Sequence, residues 1–348
     1  MNIFLFISTF VSIYLITYFC ELFTNAIEHF GNYFKIQDGA LGSIFAAVGT
    51  AFPETVLPLI AIFGAYLSHS NVNLGQEIGK GAILGSPFML SSLALFLVAS
   101  WIFILSLRNK RDSYIHIDVK LFHRDLLFFI IAYSLAFITS FIQSDFYFIK
   151  IIIAMFLLAF YIFYAVKTVK KYCCDDDFCE NKCEELILFK FFKNICKSKI
   201  TLIFIQLFFS AFALMLIANV FVENIKSISN LFHINALLIS LFLAPMATEL
   251  PETINGLVWS SKNKDTLAIS NITGAMVFQA CIPMSIGIVF TDWSFSFKET
   301  INIFCVYMAI AILFVFTRNK IDKFSFKYLI FSIIPYVIYL LFVFANYF

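Results

Sequence analysis

Two stretches of the chain carry one pattern: Gly49-Thr50-Ala51-Phe52-Pro53-Glu54-Thr55 and Ala247-Thr248-Glu249-Leu250-Pro251-Glu252-Thr253. Each sets a proline and a carboxylate inside a long apolar segment. Proline removes a backbone donor and frees the carbonyl four residues upstream, here at Gly49 and Ala247. A carboxylate at the centre of a bilayer costs about 3 kcal/mol on insertion scales. The pairing extends beyond the motif. At an offset of 198, Phe23 meets Phe221, Asn32 meets Asn230, Phe34 meets Phe232, Ile36 meets Ile234 and Ala46 meets Ala244, without a gap. A small-residue stretch follows each motif: Gly81-Ala82-Ile83-Leu84-Gly85-Ser86-Pro87 and Ser270-Asn271-Ile272-Thr273-Gly274-Ala275-Met276, at an offset of 189. The chain is therefore a duplicated unit.

Composition sets the solvent. The 348 residues are 61% hydrophobic and only 13% charged, with 47 Phe, which no soluble domain of this length tolerates. Ten apolar segments, at about 2–24, 39–68, 78–106, 125–143, 147–166, 201–222, 234–260, 266–291, 299–316 and 326–346, can each cross a hydrocarbon core of about 30 Å. The first has no basic residue before it and no small-residue cleavage site after it, so it is expected to be a retained span. Lys80, Lys150, Lys226 and Lys298 fall on the side of the N-terminus, and the other 20 of the 24 basic residues fall opposite. The positive-inside rule then places both termini outside the cytoplasm of a cell (inner) membrane.

The expected fold is an all-α polytopic membrane protein of ten transmembrane helices in two inverted-topology repeats of five. Residues 1–166 form the first repeat (core motif 49–54 and 81–87), and 201–348 the second (core motif 247–252 and 270–276). An odd number of spans per repeat inverts the second half, as in many secondary transporters. The linker 167–200 is cytoplasmic by the same count. Its Cys173, Cys174, Cys179 and Cys183 lie among Asp175, Asp176, Asp177 and Glu180. These thiols are expected to be reduced, and no His or CxxC pair completes a zinc pattern. Residues 184–197 read as a surface-lying amphipathic helix.

Glu54, Glu249 and Glu252 read as mid-span, with no Lys, Arg or His at the same depth. Protonation or a bound cation must then neutralise them. The oxygens of Thr50, Glu54, Thr248, Glu249, Glu252 and Ser86 suit calcium, sodium, magnesium or manganese rather than softer metals. Asn271, Thr273 and Gln279 add polar atoms in the second half, where the first has Ala82, Leu84 and Leu90. A lone Thr or Pro fits an ordinary kinked helix; the paired carboxylates do not. Glu21 and Glu28 read as interfacial, and Cys281 and Cys305 as small core residues.

These motifs resemble those of the calcium/cation antiporter superfamily, which includes the sodium/calcium exchangers. There, paired Gly-Thr-Ser-Leu-Pro-Glu motifs are each followed by Gly-Asn-x-x-Gly-Ser-Asn. Here they read GTAFPE (49–54) and ATELPE (247–252), then GAILGSP (81–87) and SNITGAM (270–276). The resemblance implies a calcium site at Glu54, Glu252, Thr50 and Thr248. It also implies secondary-active antiport by alternating access, calcium leaving in exchange for sodium or protons. The chain departs from the pattern at Ala51, Glu249, Leu90, Ala275 and Gln279. In the family such positions serve the sodium sites, so the loss of side-chain oxygens at Ala51, Ala82 and Leu90 points to weaker sodium dependence, and the gain of a carboxylate at Glu249 to a larger role for protons.

No cofactor is expected beyond the transported cations. The expected partners are those cations and membrane lipid, not nucleic acid. The rival reading is a channel or ion-sensing protein without coupled exchange. With no HExxH motif and no spaced aspartate pair at a span end, the chain is not expected to be an enzyme.

Overall fold

A chain in lipid must satisfy its backbone hydrogen bonds within each segment, and this one does so almost wholly with helices. The computed structural model describes residues 2–51, 72–143, 146–172, 199–231, 248–320 and 323–345, with isolated positions 55, 58, 59, 62, 63 and 186. Glu54, the 173–185 cysteine cluster and the surface helix expected at 184–197, apart from Leu186, lie outside the described residues.

The first helix, α1, is Asn2–Phe34. A continuous run, α2, comprises Asp38–Ala40, a π-helical stretch Leu41–Ala46 and Ala47–Thr50. A third, α3, comprises Val72–Met89, a second π stretch Leu90–Ala94 and Leu95–Leu107. Then come α4 (Val119–Thr139), α5 (Tyr147–Tyr172), α6 (Lys199–Leu231), α7 (Leu250–Ser261), α8 (Asp265–Phe290) and α9 (Phe297–Thr317). The chain closes with a short α10 (Lys327–Ile330) and α11 (Ile333–Ala345). Strands β1 (Tyr114–His116) and β2 (Lys323–Ser325) pair antiparallel, Ile115 opposite Phe324, and tie the α3–α4 loop to the α9–α10 loop.

Seven helices are long and apolar enough to cross a membrane among the described residues: Leu5–Phe34, Gly79–Leu107, Val119–Thr139, Tyr147–Lys171, Ile200–Ile217, Asp265–Phe290 and Phe297–Thr317. A shorter apolar stretch covers Lys327–Val343. The expected spans 39–68 and 234–260 fall partly on residues that are not described. Several helices outrun their expected bounds for local reasons. Asp118 caps α4 by accepting from the amides of Lys120 and Leu121, so the helix starts six residues before the apolar run. In α1 the polar stretch after residue 24 stays helical because its side chains find partners. Gln206 of α6 donates to the Asn25 side chain at 2.9 Å and to the Leu22 carbonyl at 2.8 Å.

Two apolar clusters organise the packing. The larger joins α3, α4, α5, α8, α9 and α11. The smaller places Ile16, Phe23 and Ile27 of α1 and Leu214 and Phe221 of α6 against Leu41 of α2 and Trp259 of α7. The central helix is α8, buried along nearly its whole length, as expected of a helix apolar on every face. It crosses α2 backbone to backbone. A Cβ on Gly274 would overlap the backbone of Ser43, and one on Gly42 would lie 2.8 Å from the Leu267 carbonyl and overlap the Ser270 hydroxyl. The small residues of the second motif thus allow close approach, as read from the sequence.

Candidate cation site

Helix α2 ends at Thr50 and α7 begins at Leu250 with Pro251 in its first turn. The local chemistry accounts for the second boundary. Pro251 lacks an N–H, which the start of a helix does not need. The Glu249 carbonyl then accepts the first intrahelical bond, from the Thr253 amide at 3.1 Å, and the Thr253 hydroxyl at 2.9 Å. Glu249 therefore sits at the N-cap and Glu252 one turn inside. Both are buried, at 2% and 0% exposure.

Side chains from five helices meet around these two carboxylates. Thr50 of α2 and Cys20 of α1 face Glu252, while Ser86 of α3 faces Glu249. The two carboxylates lie close enough to repel each other. Gln279 of α8 donates its Nε2 to both Glu249 oxygens, at 3.0 and 3.1 Å. The Thr50 hydroxyl donates to the Ala46 carbonyl at 3.0 Å rather than to Glu252, so its proton does not satisfy the carboxylate. Cys20 lies 3.8 Å from the Pro251 carbonyl, within reach of a weak S–H bond.

Glu252 is left with neither oxygen hydrogen-bonded. Its neighbours on the same and adjacent helices are in a similar condition: both side-chain polar atoms of Asn255 and of Asn271, and Oε1 of Gln279, are buried without a partner. Buried polar atoms in native structures are nearly always paired. Among these atoms the unpaired oxygens of Glu252 and Gln279 are of the type that an oxygen-coordinated cation requires. None of the ion pairs formed among the described residues involves Glu249 or Glu252. No cluster of three or more His, Cys, Asp or Glu side chains is assembled among those residues. The two carboxylates are supplemented by neutral oxygens.

The structure therefore brings together Thr50, Ser86, Glu249, Glu252 and Gln279. Thr248 is buried beside them in sequence, at 3% exposure. Asn271 is buried two turns from Gln279 on α8 without a hydrogen bond to either carboxylate. Gln279 is engaged as a donor rather than presenting its oxygen. Three polar residues near the site escaped the sequence reading. Asn255 follows Glu252 by three, a helical spacing that puts both on one side of α7. Cys20 gave no signal. Asp125 of α4, fully buried, accepts from Ser43 of α2 at 2.9 Å, Thr273 of α8 at 3.0 Å and Arg124 at 3.2 Å. It pins the α2–α8 crossing below the site. Glu28 of α1 is buried against the α7–α8 turn, 2.8 Å from Lys264 and 3.7 Å from Lys262.

The family model described as "Sodium/calcium exchanger protein" matches residues 4–170 and 202–346. The chain belongs to that family, and is a membrane-spanning ion antiporter by membership rather than an enzyme. Solved structures of the sodium-calcium exchanger NCX_Mj share its fold. One, soaked with 2.5 mM Na+ and 0.1 mM Ca2+, superposes with a TM-score of 0.71 at 19% identity, over 97% of this chain and 98% of that one. A second, soaked with 2.5 mM Na+ and 1 mM Sr2+, gives 0.71 at 20% identity and the same coverage. A third, with zero Na+ and Ca2+, gives 0.70 at 19%, again over 97% and 98%. No curated protein sequence matches the chain.

Proposed function

We propose that this protein is a secondary-active cation antiporter that exports calcium in exchange for sodium or protons by alternating access. The observation that carries this reading is Glu252, fully buried with neither carboxylate oxygen hydrogen-bonded and, among the described residues, no basic residue paired with it. An ionised carboxylate in that position is unfavourable by several kcal/mol unless a cation or proton joins it. Either a divalent ion or the ions that replace it neutralise the site. The empty, doubly charged state crosses poorly, and that couples the two fluxes.

In this reading Glu54 supplies the matching carboxylate from the first repeat, and Thr50 and Thr248 supply oxygens from the ends of broken helices. Ten spans in two inverted repeats of five give the two half-sites related orientations. The termini lie outside the cytoplasm of the cell membrane, and the 167–200 linker lies inside. The fold likeness to NCX_Mj, whose crystals were soaked with sodium, calcium and strontium, supports this choice of cargo.

The test is calcium flux in reconstituted vesicles with sodium, proton or no gradient imposed. Counterflow that needs an opposing cation is expected, and flux without any would instead establish a channel. Glu54→Gln and Glu252→Gln keep the side-chain size and remove the charge, so each folded variant should lose transport to background. Near wild-type flux in either would overturn the assignment.

A further inference from the structure

Glu249 is where the two halves differ most in charge, since Ala51 stands at the matching register. Its carboxylate is occupied in an unusual way. Gln279 Nε2 lies at nearly equal distances from Oε1 and Oε2, 3.0 and 3.1 Å. The nitrogen therefore sits near the bisector of the carboxylate, the edge a cation uses to chelate both oxygens. An ionised carboxylate only accepts, so the amide must present its N–H and turn its oxygen away. That oxygen is indeed buried without a partner. Both residues are almost completely inaccessible to solvent, and they lie on different helices. Separating them would strand a buried donor and a buried anion together.

We propose that the Gln279 amide occupies the chelating edge of Glu249, so that Glu249 acts as a fixed charge beside the cation site and residue 279 determines how strongly a monovalent cation competes there. The inference rests on the reading of Glu252 as a ligand of the transported cation. An amide dipole is neutral. It satisfies the geometry of the carboxylate without cancelling its charge, and the pocket keeps an attraction for a divalent ion at Glu252. Sodium, with half the charge, needs several close oxygens and finds this edge already filled. The closed edge is a property of the pair, so a change at one partner must depend on the other.

Calcium binding to the purified full-length protein, followed by titration calorimetry at rising NaCl with choline chloride holding the ionic strength, tests this. In Gln279→Leu the edge opens, and sodium should compete with calcium about tenfold more strongly than in wild type, a change of about 1.4 kcal/mol. Adding Glu249→Gln should erase that gain. Glu249→Gln alone leaves two amides that can pair. It should weaken calcium binding while leaving sodium competition at the wild-type level. Unchanged competition in Gln279→Leu, or a gain that survives Glu249→Gln, would overturn the proposal. If Gln279→Leu does not fold, the single Glu249→Gln variant still decides: loss of sodium competition there would make Glu249 a direct sodium ligand and overturn it. Absence of calcium binding in wild type would instead remove the reading of the site itself.

Discussion

The two halves of the site are built differently. The α7–α8 half carries Glu249, Glu252, Asn255, Asn271 and Gln279, all buried. Across from it, the α2–α3 half offers Thr50 and Ser86 among apolar neighbours such as Ala51 and Leu90. That half also carries two π-helical stretches, Leu41–Ala46 and Leu90–Ala94; the counterpart of the second, within α8, is regular helix, and the counterpart of the first lies outside the described residues. Such widened turns occur mostly at functional positions in helices. Among the described residues the two copies have thus diverged: the second holds Glu249, Glu252 and Gln279, and the first carries widened turns beside them. Equivalent substitutions in the two copies should then have unequal effects.

The largest inequality is expected at the glycines. Gly274 of α8 touches the Ser43 backbone, which cannot move aside without shifting α2. Gly49 of the first motif would bring a new Cβ to 2.7 Å from Cζ of Phe23, the far end of a side chain. Gly274→Ala should therefore abolish the folded protein, measured as monodisperse material after detergent extraction. Gly49→Ala should yield folded protein with melting lowered by about 1–3 kcal/mol, the usual range for overpacking that a ring can partly relieve. Equal losses at the two positions would break the comparison.

Much of this was legible in the sequence and some was not. The doubled Thr-x-x-Pro-Glu pattern announced the helix breaks at Thr50 and Leu250, because proline chemistry is local. Apolar runs announced the long helices, although caps and side-chain partners moved their ends. Partnerships across the chain were not legible. Glu249 and Gln279 are 30 residues apart, and both read as free oxygens until their packing is seen. Asp125 was only the first residue of the expected span 125–143. Its hydroxyl donors are 82 and 148 residues away. Nor was the pairing of Glu28 with Lys262 and Lys264 legible, since these lie in the α7–α8 turn far along the chain.

Asp125 gives the next largest effect, since it joins the two unequal halves through Ser43 and Thr273. Asp125→Ala strips a buried acceptor from two hydroxyls and from Arg124, whose side chain is 14% exposed. Removing one partner from a buried charged network costs about 3–5 kcal/mol. Asp125→Asn keeps an acceptor for one hydroxyl and should cost about half as much. Melting in detergent measures both. Calcium flux in Asp125→Asn should fall by more than the folded fraction does, because the α2–α8 crossing sets where Thr50 meets Glu252. A flux loss that only tracks folding would reduce Asp125 to a structural tie.

The smallest effect is expected at another tie between the halves, in the loop after α8. Asp292 accepts from Lys80 of α3 at 2.7 Å and from Ser294 at 2.7 Å, and its carbonyl accepts from Lys150 at 3.1 Å. Partial burial disfavours its charge, but the Lys80 ammonium and the Ser294 hydroxyl more than offset this and hold its carboxyl below the ordinary Asp range. A depressed value in the folded state means a contribution present above the unfolded value of about 3.9. That contribution is lost as the pH falls through the lower folded value. The Asp292 side chain is 55% exposed, so solvent screening limits the pair to about 1 kcal/mol or less. Melting of wild type and Asp292→Asn should differ by a small constant amount from neutral pH down to about pH 5, and converge below about pH 4. Lys80 is itself only 7% exposed in its side chain, so in the variant it retains the Ser294 carbonyl, 3.3 Å away, in place of the carboxylate. A difference that persists unchanged into acid would mean that the loop is held by this backbone contact rather than by charge.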